Sequence, residues 1–385
     1  MAPDPAHPNT PPRTDADVVV IGAGIAGVSA AAELAAEARV VLVEQEPLPA
    51  QHASGRSASV LSETSGHPHV CALARLSRPF FEVPPDGFAD HPLLSQRGLV
   101  WVGEAGDEPL LDRLALDGVR VSPSVARLRS DEVRRLLPTF SDAAIAGGGV
   151  HEPDAMAIDT AGMIEGYLRL LRHRGGSIVT SAEAVSAHRS GSGWEVTAGQ
   201  HHITAVAVVN AAGGWGDVVA VRSGVRPLGL RALRRTAAIA PAPDSVREWP
   251  LVMDIAGRYY CEPESGGLLI SPADETAIEP CDATADEIDV AIALDRVREA
   301  TGLPLRSIRR AWAGLRTFAP DRCPVLGEDP DAVGFWWLVG QGGAGIKTAP
   351  AMATVLVALM QQRALSSEAV SLGITVDALS PARFR

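Results

Sequence analysis

DVVVIGAGIAGVSAAAELAAEARVVLVEQE, residues 17–46, is the stretch on which the fold turns. Its β-branched run Val18–Ile21 leads into Gly22, Ala23, Gly24, Ile25, Ala26 and Gly27, then into an alanine-rich helical stretch and a second apolar run, Val40–Val43, closed by Glu44 and Gln45. This is G-x-G-x-x-G in the strand, turn, helix, strand context that gives the pattern meaning. Gly22 permits the tight turn, Gly24 lets the backbone come close to a pyrophosphate, and Gly27 lets the helix lie against the strand. The helix N-terminus adds aligned N–H groups and partial positive charge. Glu44, about twenty residues on, accepts hydrogen bonds from a ribose diol and repels a 2′-phosphate. An unphosphorylated dinucleotide, FAD or NAD, is favoured. A second glycine turn running into an apolar helix, VGQGGAGIKTAPAM at 339–352, raises the question of two nucleotides or one long cofactor lying across two turns.

At 385 residues with 46% hydrophobic content, the chain suits one large or two interleaved domains. A formal charge of -12 with scattered arginines gives nucleic-acid binding little support and points to small-molecule partners. Cys71, Cys261, Cys281 and Cys323 lie far apart without ligand spacing, so neither a metal site nor a disulfide framework is expected, and reduced cytoplasmic thiols are. The proline-rich residues 1–14 read as a disordered tail. Asp15 and Asp17 stand where a signal peptide would carry a basic region, and the longest uncharged segments fall short of the ~20 apolar residues of a membrane helix. A soluble, cytoplasmic protein is expected.

An NAD enzyme would continue with regular βαβ units, but here PLPAQHASGRSASVLSETSGHPH, residues 47–69, breaks the pattern with a long Ser/Gly/His loop. Helical segments with Pro/Gly interruptions occupy 70–140. Asp159 and Thr160 cap a helix expected over about 161–173, ended by Gly175 and Gly176, and strands follow near 178–185, 193–198 and 203–209, leading to VVNAAGGWGDVV. Short strand-like runs over 226–310, with a helix near 285–300, suggest a mainly antiparallel sheet.

Taken in order, VIGAGIAG, HASGRS, EPDAMAID, VVNAAGGW, WAGLRTFAPD and GGAGIKT resemble the FAD-dependent amine and amino-acid oxidoreductases of the D-amino-acid oxidase, glycine oxidase and sarcosine oxidase group. Within it, SGRSAS, FFEVPPDGFADHPLLS, VRPLGL, YYCEPESGGLLISPA and AWAGLR look closest to bacterial D-arginine-type D-amino-acid dehydrogenases. The resemblance implies an α/β fold: a Rossmann-like FAD-binding domain assembled from 15–66, 141–222 and 311–365, with a substrate domain on a mainly antiparallel sheet from 67–140 and 223–310. It also implies one FAD across both glycine turns, the first holding the pyrophosphate and the second lying against the isoalloxazine ring. The cofactor residues implied are Gly22, Gly24, Ala26, Gly27, Glu44 and Gln45, then Ala53, Ser54, Gly55, Arg56, Ser57 and Ala58, then Val185, Ala212 and Gly213. At the ring end they are Gly343, Ala344, Gly345, Ile346, Lys347 and Thr348.

The activity implied is oxidative deamination of a D-amino acid, by hydride transfer from Cα to flavin N5, to an imino acid and then a 2-oxo acid, with oxygen or a quinone as electron acceptor. A secondary-amine oxidase acting on sarcosine, glycine or a cyclic imino acid is the alternative. A substrate carboxylate is best fixed by a planar guanidinium. Arg316 and Arg235 match substrate-binding arginines of the D-amino-acid dehydrogenases and Tyr260 a tyrosine on the same carboxylate, with Arg234, Arg231 and Tyr259 as competing neighbours. Lys347 matches a lysine of sarcosine oxidases near the flavin and the substrate carboxylate, or else points to solvent from the first helical turn. His52 matches another histidine of that group, while His67 and His69 read as a polar loop. Val60, Ser65 and Leu99 replace a histidine, a tyrosine and an acidic residue of the D-arginine-type enzymes, so a neutral or apolar substrate side chain is expected unless Asp90 turns inward. Gly314 stands where monomeric sarcosine oxidases carry the cysteine that bonds flavin, with Cys323 nine residues away, so FAD is expected to be noncovalent.

Overall fold

The computed structural model describes residues 13–182 and 185–385. The glycine-turn unit forms the middle of a six-stranded sheet, in the order Ser177–Val179, Val40–Val43, Val18–Ile21, Ala207–Asn210, Phe335–Val339, Val325–Glu328. All neighbours are parallel except the last pair. The three central strands are buried at every position, because both faces are covered, and this is why they read as unbroken apolar runs. Alternation divides them: Val18, Val20, Val40 and Leu42 pack under the helices Ile25–Leu34, Thr160–His173 and Gly345–Met360. Val19, Ile21, Val41 and Val43 pack with Trp194, Val196 and Ile203 of a four-stranded sheet on the opposite face.

A ten-stranded sheet makes the second layer. Its path runs Gln341–Gly342, Arg310–Phe318, Arg231–Ala240, Gly267–Ser271, Tyr260–Glu264, Leu251–Asp254, Leu99–Gly103, Gly148–Glu152, Ala126–Leu128, with Thr276–Ala277 beside Arg231–Ala240. It is antiparallel except between Leu251–Asp254 and Leu99–Gly103, and the helix Glu287–Thr301 packs on it. Val60–Leu61, Met156–Ile158 and Leu94–Gln96 form a small fourth sheet of three strands.

Several expectations need correction. The strands Gly148–Glu152 and Arg310–Phe318 were expected with the FAD-binding segments, yet both pair within the ten-stranded sheet, so boundaries at 141 and 311 cut through it. The expected strand over 178–185 ends at Val179, and the next begins at Ser186, with 183–184 outside the described residues. The apolar run 203–209 is two strands in two sheets, broken at exposed Val206, where the N–H groups of Val206 and Ala207 both donate to the Asp17 carbonyl as the chain crosses between layers. Arg13 and Thr14 of the expected tail belong to a strand, Arg13–Asp15, paired with His201–Ala205; the prolines that suggested disorder all precede it, and residues 1–12 lie outside the described residues. Among the described residues no helix is long and apolar enough to cross a membrane.

Candidate active site

The first glycine turn is built by close approach. Gly22 has φ +98°, and a Cβ there would lie 2.7 Å from the Ala211 carbonyl oxygen; a Cβ on Gly27 would lie 1.7 Å from the Gly22 carbonyl oxygen. No other residue type fits either place. The Glu44 carboxylate, 8% exposed, accepts from the Ala23 N–H at 2.6 Å and the Glu46 N–H at 2.9 Å, which fixes it against the turn. Ser54 Oγ accepts from the N–H of Ile25 at 2.9 Å and ties the 47–69 loop to the helix N-terminus.

Three cavities adjoin in a row from this turn. The first, of about 160 Å³, is lined by Gly22, Gly24, Ala26, Glu44 and Gln45, and on its other walls by Ala53, Ser54, Val185, Ala212 and Gly213. The second, of about 80 Å³, shares Ala53, Ser54 and Gly345 with the first and adds Arg56, Ser57, Ala58 and Ile346. The third, of about 810 Å³, shares Ala58, Gly343 and Ile346 with the second and reaches Ala344, Lys347 and Leu99. Arg235, Tyr260 and Arg316 stand where the second and third meet. The row fits one extended dinucleotide across both glycine turns. The Gln341 amide nitrogen, buried without a partner on the walls of the first and third cavities, supplies a donor for such a group.

Three of the expected cofactor residues line none of these cavities. Gly27 is consumed by the close approach above, and Gly55 donates its N–H to the Ala50 carbonyl with no room for a Cβ. Thr348 is fully buried and turns its hydroxyl back to the Ala344 carbonyl at 2.9 Å. They shape the turns from behind. Arg56 borders the second cavity, but its guanidinium straps the carbonyls of Ala283 and Ala313 and pairs with Asp282. Trp215, Thr317, Trp312 and Gln341 are wall residues that the sequence reading passed over; Gln341 had stood inside the quoted second turn.

At the substrate end, strand register settles the arginine question. Arg235 pairs with Gly314 and Leu233 with Arg316, so Arg235 and Arg316 are diagonal neighbours on one face. Arg234 faces the other way and binds Asp289 at 2.7 Å, while Arg231 is exposed at the strand start. Arg235 donates to the Asp274 carbonyl at 2.7 Å and to Glu275 at 3.3 Å, and its guanidinium lies 5.9 Å from the Tyr260 ring. Burial, and then repulsion from Arg316, lowers its proton affinity. Tyr259 packs with Cys261 in the core beneath the sheet and also borders the cavity, its hydroxyl unpartnered. Arg316 has no hydrogen bond or ion pair among the described residues. Its guanidinium lies on Gly343, where a Cβ would sit 2.8 Å from Cζ. Two cations facing one cavity with one of them unpaired make an anion site.

Lys347 is 5% exposed and does not reach solvent. Its Nζ donates to the Ser62 carbonyl at 2.9 Å and to the Ser65 carbonyl and hydroxyl at 2.8 Å each, and burial lowers its pKa. The loop it grips is held from the other side by Glu152, 1% exposed, which accepts from Ser62 Oγ and the Glu63 N–H at 2.7 Å each and from the Thr64 hydroxyl. His52 lines the first cavity, bonded to Glu46 at 2.9 Å and resting on the Trp215 ring. His67 caps the helix Pro68–Glu82, accepting from the His69 N–H, which accounts for the pair. Asp90 turns outward to Arg169 and does not border the cavity, so the acid missing at Leu99 is not restored by it. Cys323 is buried against the Ala378 carbonyl and lines none of the three cavities.

Glu262 is a wall residue of the third cavity that the sequence reading missed, although it lay within the YYCEP motif two places beyond Tyr260. Burial raises its carboxyl to about 7. A folded-state value above the unfolded one means that its contribution to stability is present below about 4.5 and lost as pH rises through about 7. Glu262→Gln should therefore gain stability over the parent between pH 5 and pH 8, by on the order of 1–3 kcal/mol at the upper end. Thermal melts across that range check it; a difference that does not change with pH would contradict the raised value.

The chain matches the family model described as FAD dependent oxidoreductase, DAO, over residues 17–359. It is 28% identical to the tRNA 5-methylaminomethyl-2-thiouridine biosynthesis bifunctional protein MnmC of Burkholderia thailandensis, with 96% of this chain aligned to 59% of that protein, so it spans less than two thirds of that relative. It is 27% identical to glycine oxidase of Pseudomonas aeruginosa, over 90% of this chain and 95% of that one. The crystal structure of glycine oxidase from Geobacillus kaustophilus superposes with a TM-score of 0.80 at 21% identity, covering 94% of this chain and 99% of that one, a likeness of fold. With the match running from the first glycine turn through the second, the chain belongs to the FAD-dependent oxidoreductase family.

Proposed function

We propose that the chain oxidises the Cα–N bond of a D-amino acid with a neutral or apolar side chain, giving an imino acid that hydrolyses to a 2-oxo acid and ammonia. The observation that carries this reading is the unpaired Arg316 beside Arg235 at the end of the dinucleotide path. FAD, when bound, supplies the two-electron acceptor. Arg316 holds the substrate carboxylate, Arg235 adds a second cation kept in place by Asp274 and Glu275, and the Tyr260 ring closes that side. Leu99, Leu251 and Met253 give the side chain an apolar wall and exclude water. The motif resemblance to D-arginine-type dehydrogenases supports D stereochemistry, while Leu99 argues against a guanidinium substrate.

The secondary-amine alternative is supported by Lys347 in the second turn. It is weakened by the three acceptors that occupy Nζ. Anaerobic bleaching of the flavin decides between them. D-Met and D-Phe should reduce it, D-Arg at least about a hundredfold more slowly, as expected for a charge buried without a partner, and sarcosine not at all. Reduction by L-amino acids alone would remove the D assignment, and reduction by sarcosine alone the deamination reading. Since Gly314 and not a cysteine faces the second cavity, acid precipitation should leave the yellow colour in the supernatant.

A further inference from the structure

The sheet face that walls the third cavity is apolar at Leu99, Leu251 and Met253, and Glu262 interrupts it. Tyr260 and Glu262 share that face because successive strand residues alternate, and they stand roughly 7 Å apart along the strand. The intervening Cys261 points into the opposite core. Glu262 is 5% exposed and its carboxyl, among the described residues, makes no hydrogen bond and no ion pair. A buried carboxyl of this kind is costly unless something donates to it.

The surrounding charges narrow what that donor is. Arg235, Arg316, Arg322 and Lys347 line the cavity together with Asp254, Glu275 and Asp321, but Asp254 is paired with Arg258, Glu275 with Arg235 and Arg322, and Asp321 with Arg383. Arg97, outside the lining and with its Nε buried without a partner, acts on Glu262 electrostatically. A further cation would add to Arg316 and Lys347, whose charges no carboxylate pairs with directly, whereas a neutral N–H or O–H would not. The carboxyl, raised to about 7, keeps an acceptor oxygen in either protonation state.

We propose that Glu262 selects the substrate: the amino acid taken by this cavity carries a neutral hydrogen-bond donor at the far end of its side chain, at glutamine or tyrosine length, and that donor binds the Glu262 carboxyl. The inference rests on the deaminase reading above, with the carboxylate at Arg316 and the side chain running along the sheet towards Glu262. It also refines that reading, since a purely apolar side chain would leave the carboxyl unpaired.

The test uses matched substrates and the FAD-loaded protein. Anaerobic flavin reduction is followed with D-Gln against D-Met and with D-Tyr against D-Phe, for the parent, Glu262→Leu and Glu262→Gln. The parent should favour the donor-bearing member of at least one pair by about tenfold or more, since a site with a buried polar group rejects the analogue that leaves it unpaired. Glu262→Leu should erase most of that ratio, by slowing the donor-bearing member and no longer penalising D-Met or D-Phe, and Glu262→Gln, which keeps an acceptor oxygen, should retain part of it. A parent that shows no preference within either pair overturns the proposal whatever the variants do, and leaves deamination standing. An unchanged ratio in a folded, FAD-loaded Glu262→Leu overturns it too. A flavin that no amino acid of either hand reduces overturns both readings.

Discussion

Arg316→Ala is expected to lower kcat/KM for the amino-acid substrate by about 10²–10³ while leaving bound FAD and Tm nearly unchanged. The size follows from losing two charge-assisted hydrogen bonds of roughly 1.5–3 kcal/mol each, only part of which water or Arg235 replaces. The lack of effect on folding follows from the side chain's surroundings. Arg316 makes no hydrogen bond or ion pair with the described residues, and its charge depresses the proton affinity of Arg235, so its removal relieves repulsion. Arg316→Lys should recover about tenfold at most, because an ammonium supplies the charge without the planar fork. Arg235→Ala is a useful contrast: it breaks bonds to Asp274 and Glu275 and should cost about 1–2 kcal/mol of stability as well as activity. Stopped-flow reduction together with thermal melts separates the two. An Arg316→Ala variant within threefold of the parent's kcat/KM would end the assignment of Arg316 to the carboxylate.

That contrast also shows where the sequence was legible. Fully buried parallel strands announce themselves as apolar runs, and a turn whose glycines have no room for a Cβ, as at Gly22 and Gly27, can be written in few other ways. Arg316 and Arg235 were reachable because their motifs are local. What separates Arg235 from Arg234 is strand alternation combined with the cross-strand partner Gly314, and neither can be known before the register is. The strands Arg13–Asp15 and Gly148–Glu152 were not foreseen in their sheets because short strands are placed by partners elsewhere in the chain, His201–Ala205 for the first and Leu99–Gly103 and Ala126–Leu128 for the second. Gly55 and Thr348 sit inside the loops that border the cavities, yet the Gly55 N–H and the Thr348 hydroxyl are bonded within those loops.

Lys347 is the clearest case of a role set by distant chain. Its three acceptors belong to Ser62 and Ser65, up to 285 residues earlier, and the loop that carries them hangs in turn on Glu152. Ser62, Ser65 and Lys347 all border the substrate cavity, so the ammonium works as a rivet for one wall. Lys347→Met preserves most of the volume but strands two carbonyls and leaves the buried Glu152 without a nearby opposite charge. A loss of about 2–4 kcal/mol is expected, with Tm lower by at least about 4 °C and substrate binding weakened by the loosened wall. The pH dependence has a defined sign. Because burial lowers the folded-state pKa below the ordinary 10.5, the folded protein gives up this proton first, and the parent gains stability as pH rises through that interval. Lys347→Met lacks that slope, so the gap between parent and variant should widen towards alkaline pH. Glu152→Gln alone should destabilise in the same direction, and the double variant should lose less than the sum, since each partner is already stranded by the loss of the other. Melts of the four proteins with FAD bound measure this. A Lys347→Met variant that melts within 1 °C of the parent, the shift a solvent-facing lysine would give, would refute the rivet.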